Sequence, residues 1–271
     1  MHPMLNIAIR AAREAGNIIS RAVERLDTIK ITPKSERDFV TNIDIKAEQV
    51  IISTLRKAYP NHSILSEECG LDFNAKDDGY QWIIDPLDGT TNFIHGFPHF
   101  AVSIALKHKD RIEQAVIYDP IRQELFTASH GAGARLNNNT RLRVSPQKTL
   151  DHALLGTGFP FKHPHLIAPY MSTFQAFLPT TVGIRRAGAA VLDLAYVAAG
   201  RLDGFWEFGL KPWDLAAGSL LIREAGGLIG DFKGTENYMD SGNVVTGNPK
   251  LFKAMLQTIQ PALEEHKGWD K

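Results

Sequence analysis

Trp82-Ile83-Ile84-Asp85-Pro86-Leu87-Asp88-Gly89-Thr90-Thr91-Asn92 passes from apolar to acidic to helix-starting residues, and the other acidic and glycine-rich segments make sense around it. Trp82, Ile83 and Ile84 suit a short buried strand. Pro86 restricts Asp85 to an extended conformation, so the strand is expected to end there. Asp85 and Asp88 then stand three apart on the turn leaving the sheet. Gly89 permits a backbone geometry that a side chain would block, and Thr90, Thr91 and Asn92 are good openers for a short helix. Two carboxylates, the Leu87 carbonyl between them and free amides at a helix start suit a hard cation such as magnesium together with a phosphate. Asp-Gly is also a common hairpin-turn pair, and Asp-Pro opens many surface loops. The remainder of the chain decides between these readings.

With 271 residues the chain is long enough for a sizeable core, as one large domain or two small ones. Its hydrophobic content of 44% and charged content of 22% are ordinary for a soluble globular protein. Thirty basic residues balance thirty acidic ones, so nothing global points to nucleic acid or to an acidic membrane surface. The one cysteine, Cys69, excludes an internal disulfide framework and fits a reducing compartment. The N-terminus has no basic region followed by an apolar core, and no apolar run approaches the ~20 residues that span a bilayer. The expectation is a cytoplasmic protein with no membrane partner.

Leu5 to Leu26 reads as an amphipathic helix. Residues 34–44 read as a polar loop and a helix start, because Thr41, Asn42 and Asp44 are cap-type residues and Asp44 complements the helix dipole. The helix then continues to Pro60. Ser63 to Ser66 is a strand ending in Glu67-Glu68, and residues 69–80 carry loop formers. Residues 101–106, 112–118 and 124–128 form an antiparallel meander. His95 and His99 precede it, but Gly96 and Pro98 argue against a shared helical face, so packing or loop roles are expected. From Leu150 strands and helices alternate: strands at 152–156, 181–184, 202–208 and 243–246, helices at 165–177, 188–199, 212–225 and 249–259. Gly200 suits a C′ position, and Pro212 a first helical turn. The pattern divides into an α+β half, 1–149, and an α/β half, 150–271, in one compact unit.

Glu67, Asp85, Asp88 and Asp214 are scattered in sequence, yet each falls at a strand end or helix start. Carboxylates within ~4–6 Å of each other raise one another's pKa unless positive charge lies between them. Divalent cations are the simplest reason for such a cluster, and oxygen-only ligation favours magnesium over zinc.

Taken together, Asp38 to Thr41 with Asp44, the Glu67-Glu68 pair, Trp82 to Asn92, Trp213 to Gly218 and Glu224 to Gly227 resemble the inositol monophosphatase family over essentially the full length. The opening Met-His-Pro-Met-Leu-Asn-Ile is similar to its bacterial SuhB-type subgroup. The resemblance implies a layered αβαβα sandwich, usually a homodimer, with lithium-sensitive, magnesium-dependent phosphatase activity on myo-inositol 1-phosphate and related small phosphates. It implies two to three Mg2+ ions. Glu67, Asp85 and the Leu87 carbonyl would hold the first, Asp85, Asp88 and Asp214 the second, with a weaker third near Glu67. Asp44 and Thr90 would orient and deprotonate the attacking water, and Glu67 belongs to that catalytic set. The Gly89 and Thr90 amides would hold phosphate, Glu207 would contact a sugar or inositol hydroxyl, and Asp214 and Ala190 would border the substrate. Gly188 and Ala189 bring backbone close, and Lys34 falls on a loop that reaches the site.

Two rivals remain open at this level. The same metal residues serve other small esters such as fructose 1,6-bisphosphate, with Glu207 and the 157–160 and 185–190 loops deciding between substrates. The SuhB-type subgroup is also associated with transcription antitermination through RNA polymerase or RNA contacts, for which Arg185-Arg186 and Arg141-Leu142-Arg143 are candidate contact points.

Overall fold

Small and branched apolar residues at helical spacing (Leu5, Ala8, Ile9, Ala12, Ala15, Ile19) bury one face of α1 (Pro3–Val23), which lies against α2 (Asn42–Ala58) through Ile43, Ala47, Ile51 and Leu55. The computed structural model describes residues 2–35, 38–72, 79–266, 268 and 269. Between the two helices the chain forms an antiparallel hairpin of β1 (Ile31–Ser35) and β2 (Asp38–Thr41), where the sequence suggested a polar loop. The pairing of Ile31 with Thr41 explains the difference, because two polar extended segments stabilise each other by ladder bonds that neither sequence advertises alone. The Lys34 side chain and residues 73–78 of the expected 69–80 loop lie outside the described residues.

An eight-stranded sheet follows, built from β3 (Ser63–Ser66), β4 (Gly70–Asp72), β5 (Tyr80–Asp88), β6 (Ala101–His108), β7 (Arg111–Asp119), β8 (Glu124–Ser129), β9 (Gly133–Leu136) and β10 (Thr140–Arg141). Its order is β10-β9-β8-β7-β6-β5-β3-β4, antiparallel except where β3 pairs with β5. The short helix α3 (Thr90–Ile94) connects β5 to β6. The central β5, β6 and β7 are buried on both faces, which explains their near-continuous apolar runs.

The second half supplies β11 (Leu154–Thr157), α4 (Ile167–Phe177), β12 (Gly183–Arg185), α5 (Ala190–Ala198), β13 (Gly204–Glu207), α6 (Pro212–Glu224), β14 (Leu228–Gly230), α7 (Tyr238–Ser241), β15 (Val244–Gly247) and α8 (Pro249–Leu263). The five strands align as β12-β11-β13-β15-β14, with β11 parallel to both β12 and β13. Three apolar clusters define the layers. One lies between α1–α2 and the large sheet, one holds α5 and α6 between the two sheets, and one packs α4 and α8 on the outer face of the small sheet. This is the αβαβα sandwich. Since α5 and α6 are buried on all sides, their starts open inside the protein, facing the end of β5.

Candidate active site

β5 does not end at Asp85. It runs through Pro86 to Asp88, with a register break: Asp85 faces Ser103 and Asp88 faces Ala101 on β6. Pro86 is tolerated because it sits in this irregularity, where no ladder N–H is needed. The break has a consequence for chemistry. Residues three apart on a regular strand point to opposite faces, whereas the bulge lets Asp85 and Asp88 share a corner. Leu87, with its side chain buried, donates its N–H to Asp85 Oδ1 at 3.0 Å. Gly89 then adopts φ +89°, and a Cβ there would come within 2.9 Å of the His99 carbonyl oxygen, so the turn requires glycine.

Asp214 arrives from the first turn of α6, where its carboxylate accepts the Lys211 N–H at 2.7 Å. Asp88 accepts the Val191 N–H at 2.8 Å, at the start of α5. Carboxylate oxygens of Asp85, Asp88 and Asp214 all lie within 4.8 Å of one another. Glu67, in the turn after β3, stands beside this trio; its N–H donates to the Ile84 carbonyl at 3.2 Å, and its charge acts on all three aspartates. Asp44 closes a capping box on α2, accepting the Thr41 N–H at 2.9 Å and the Thr41 hydroxyl. Thr90 Oγ1 stands 3.0 Å from both Asp44 Oδ1 and the Leu87 carbonyl oxygen. The Thr90 hydroxyl thereby ties the α2 cap to the acidic corner.

Burial raises the pKa of each aspartate in the trio. Asp85 is pushed well up by burial and then by the charge of Glu67, and Asp88 by burial and then by Asp214. Asp214 is pushed up to about 7 by burial, opposed by its bond from Lys211. Burial likewise raises Asp44, against the bonds it accepts from Thr41. Like charges held this close repel, and the hydrogen bonds they accept come from backbone N–H groups. An oxygen-only set with this unbalanced charge fits a hard divalent cation.

Glu207 ends β13 at the far side, half-buried against the Gly158 backbone, where any side chain at 158 would overlap its carboxylate. Burial pushes Glu207 well up, and Asp193 adds to it. Gly188 (φ +90°) and Ala189 lead into α5 at Ala190, and this entry is held to α3 because Asn92 Nδ2 donates to the Ala187 carbonyl at 2.9 Å and the His99 carbonyl at 2.7 Å. In the sequence Asn92 reads only as a helix opener. Asp193, a buried acid on α5 whose pKa burial and Asp88 push up, is not among the residues the sequence singles out; its one signal is a carboxylate inside an Ala-Val-Leu-Asp-Leu-Ala run. His99 is buried, and burial together with the Arg122 charge lowers its pKa to about 4, which fits a neutral packing residue. Cys69 lies in the turn between β3 and β4, and its Sγ donates to Glu48 at 2.6 Å.

The inositol monophosphatase family model matches residues 1–265. The chain is 59% identical over 266 residues to Nus factor SuhB of Pseudomonas aeruginosa, covering 97% of this chain and 98% of that protein. It is 55% identical over 265 residues to Nus factor SuhB of Escherichia coli, with 98% of each covered. Among solved structures, extragenic suppressor protein SuhB from Bartonella henselae superposes with a TM-score of 0.92 at 40% identity, covering 96% of this chain and 99% of that one. Inositol monophosphatase from Anabaena superposes with a TM-score of 0.83 at 36% identity, covering 95% of each.

Proposed function

The chain belongs to the inositol monophosphatase family, and from that premise we propose that it is a magnesium-dependent phosphomonoesterase for myo-inositol 1-phosphate and related small polyol phosphates. The observation that carries this reading is the convergence of Asp85, Asp88 and Asp214 within 4.8 Å. These three, with Glu67 and the Leu87 carbonyl, would hold the cations. Bound there, divalent cations supply positive charge against the phosphate and a lowered pKa for the attacking water. The protein's own groups do the rest. Asp44, oriented by Thr41, takes the proton of water through the Thr90 hydroxyl, and Glu67 supports that relay. The Gly89 and Thr90 amides face the phosphate oxygens. Glu207 accepts a hydrogen bond from a polyol hydroxyl, while Gly188, Ala189 and Ala190 leave room for the ring to lie close to the backbone.

Phosphate release from myo-inositol 1-phosphate, assayed with and without Mg2+, tests the proposal. Turnover that requires the cation and is suppressed by lithium is expected. Hydrolysis unaffected by chelation would remove the cation from the reading. The assembly expected from the family is a homodimer, which sedimentation measures directly.

A second reading rests on the relatives at 59% and 55% identity being Nus factors. We infer that this chain also contacts the transcription apparatus, through RNA polymerase or RNA. No helix among the described residues is long and apolar enough to cross a membrane. Pull-down with RNA polymerase, repeated with Asp88→Asn, separates the two activities. Retained binding with lost turnover makes them independent, and absence of binding in both proteins rejects this reading.

A further inference from the structure

The end of the site away from the acidic corner holds a cation that the phosphatase chemistry above leaves unused. The Arg186 guanidinium carbon lies 5.2 Å from the ring centroid of Phe159 and 5.0 Å from that of Phe161. The two rings meet edge to face at 5.4 Å, and Phe159 also packs edge to face at 5.4 Å on buried Tyr170. An exposed arginine normally samples many rotamers, but two aromatic faces restrict it and leave its planar donors oriented. Both rings remain exposed, 36% for Phe159 and 44% for Phe161, which is unusual for a pair that serves only packing.

The clamp sits directly on the site. Phe159 follows Gly158, the residue whose backbone lies against the Glu207 carboxylate. Arg186 Nη1 lies 2.8 Å from where a Cβ of Gly188 would be, so the guanidinium covers the loop entering α5. Its positive charge acts on Glu207, Asp193 and Tyr170 together. Among the described residues Arg186 has neither a hydrogen bond nor a carboxylate at salt-bridge distance, so its N–H donors stay available.

We propose that Arg186, clamped by Phe159 and Phe161, is a specificity-determining residue that acts with Glu207 as a donor–acceptor pair for neighbouring hydroxyls of the substrate's alcohol portion. The planar guanidinium donates to the oxygens of two adjacent hydroxyls, and the Glu207 carboxylate accepts a hydroxyl hydrogen. This rests on the phosphatase reading and adds the part of the substrate that the metals do not see.

The test compares myo-inositol 1-phosphate with p-nitrophenyl phosphate, which carries no alcohol hydroxyls, in the wild-type protein, Arg186→Ala and Arg186→Lys. Arg186→Ala is expected to raise KM for the inositol ester on the order of 10-fold or more, with kcat little changed and p-nitrophenyl phosphate turnover within about threefold, since the loss of one hydrogen bond from a charged donor is worth that much. Arg186→Lys, which keeps the charge but loses the planar donors, is expected to recover only part of the loss. An equal loss on both substrates in Arg186→Ala, or full recovery in Arg186→Lys, overturns the hydroxyl-reading role. If the wild-type protein hydrolyses p-nitrophenyl phosphate but shows no preference for the polyol ester, the role of Arg186 fails while the phosphatase reading stands. If it hydrolyses neither, both fail.

Discussion

Two sets of aspartates, one at the end of β5 and the other in the turns that follow β7 and β14, differ in what satisfies them. Asp119, at the end of β7, accepts the Ile121 and Arg122 N–H groups at 2.9 Å on one oxygen and the Arg122 guanidinium at 2.9 Å on the other. Asp231 similarly collects the Lys233 and Thr235 N–H groups and the Thr235 hydroxyl within its own turn. Asp85 and Asp88, at the end of β5, accept N–H groups from Leu87 and Val191 but face each other and Asp214. Asp85, Asp119 and Asp231 are all buried, so burial does not distinguish structure from chemistry. What distinguishes them is whether the local chain supplies enough hydrogen-bond donors with no second carboxylate alongside. Where it does, the acid holds a turn; where it does not, the fold keeps an arrangement that costs stability until something from outside is bound.

The sharpest way to break this contrast is Asp88→Asn. It removes one charge from the trio while the amide oxygen can still accept the Val191 N–H. Turnover is expected to fall on the order of 10³-fold, as the loss of one charged ligand removes several kcal/mol of transition-state stabilisation. The metal-free variant is expected to melt a few degrees above the metal-free wild type, because one source of repulsion is gone (about 2–4 °C per kcal/mol for a chain near this size). Differential scanning calorimetry in EDTA checks the second half. A lower melting temperature would mean that the trio is not under electrostatic stress.

Asp119→Ala should do the opposite. Removal of a fully partnered buried carboxylate leaves two turn N–H groups without an acceptor and takes from Arg122 its carboxylate partner, costing about 3 kcal/mol. Melting is expected to drop by roughly 8 °C, with kcat and KM for the inositol ester unchanged below the transition.

These two kinds of acid were not equally legible in the sequence. The corner was legible because Pro86, Gly89 and the helix openers after it make a local pattern whose bonds are nearly all short-range. Asp214 was legible for the same reason, lying just after Pro212 in a helix start. The continuation of β5 through Pro86 was not, because the proline rule assumes a regular ladder and the register break on β6 is a tertiary event. The strands β4, β9, β10 and β14 escaped as well: each is only two to four residues long and exists because a neighbour offers its edge. Asp193 acquires meaning only once α5 is placed between the sheets, and Arg186, legible in sequence only as half of a basic pair for a partner contact, acquires its place beside Glu207 in the same way.

The stress in the corner also has a pH signature. Asp85, Asp88 and Asp214 are raised in the folded protein, Asp214 to about 7, above an unfolded value near 3.8. As pH rises past 4 the unfolded chain gives up these protons first, so the native state binds more protons and its stability falls with increasing pH up to the folded pKa values. The metal-free protein is therefore expected to melt lower at pH 8 than at pH 6. Saturating Mg2+ should reverse the order, because the cation binds the deprotonated trio and stabilises only the folded state. Melting curves in EDTA and in Mg2+ at the two pH values check this; a metal-free protein that gains stability between pH 6 and 8 would contradict it.

Asp44 is where the two classes of acid meet, and it gives the finest test of the contrast. It is partnered like Asp119, closing the α2 cap with Thr41, yet its other oxygen reaches the Thr90 hydroxyl at the edge of the corner. Thr41→Ala removes the cap without touching either group placed near the reaction. If capping and chemistry are separable, the loss is about 1 kcal/mol of stability and kcat barely moves. If the cap is what aims Asp44 at Thr90, kcat falls several-fold while KM stays put, and Thr41→Ser, which keeps the hydroxyl, restores it. We expect the second result, because the Thr41 hydroxyl and N–H grip the same Asp44 oxygen and leave only the other free to face Thr90. The helix cap is then also the device that orients the base.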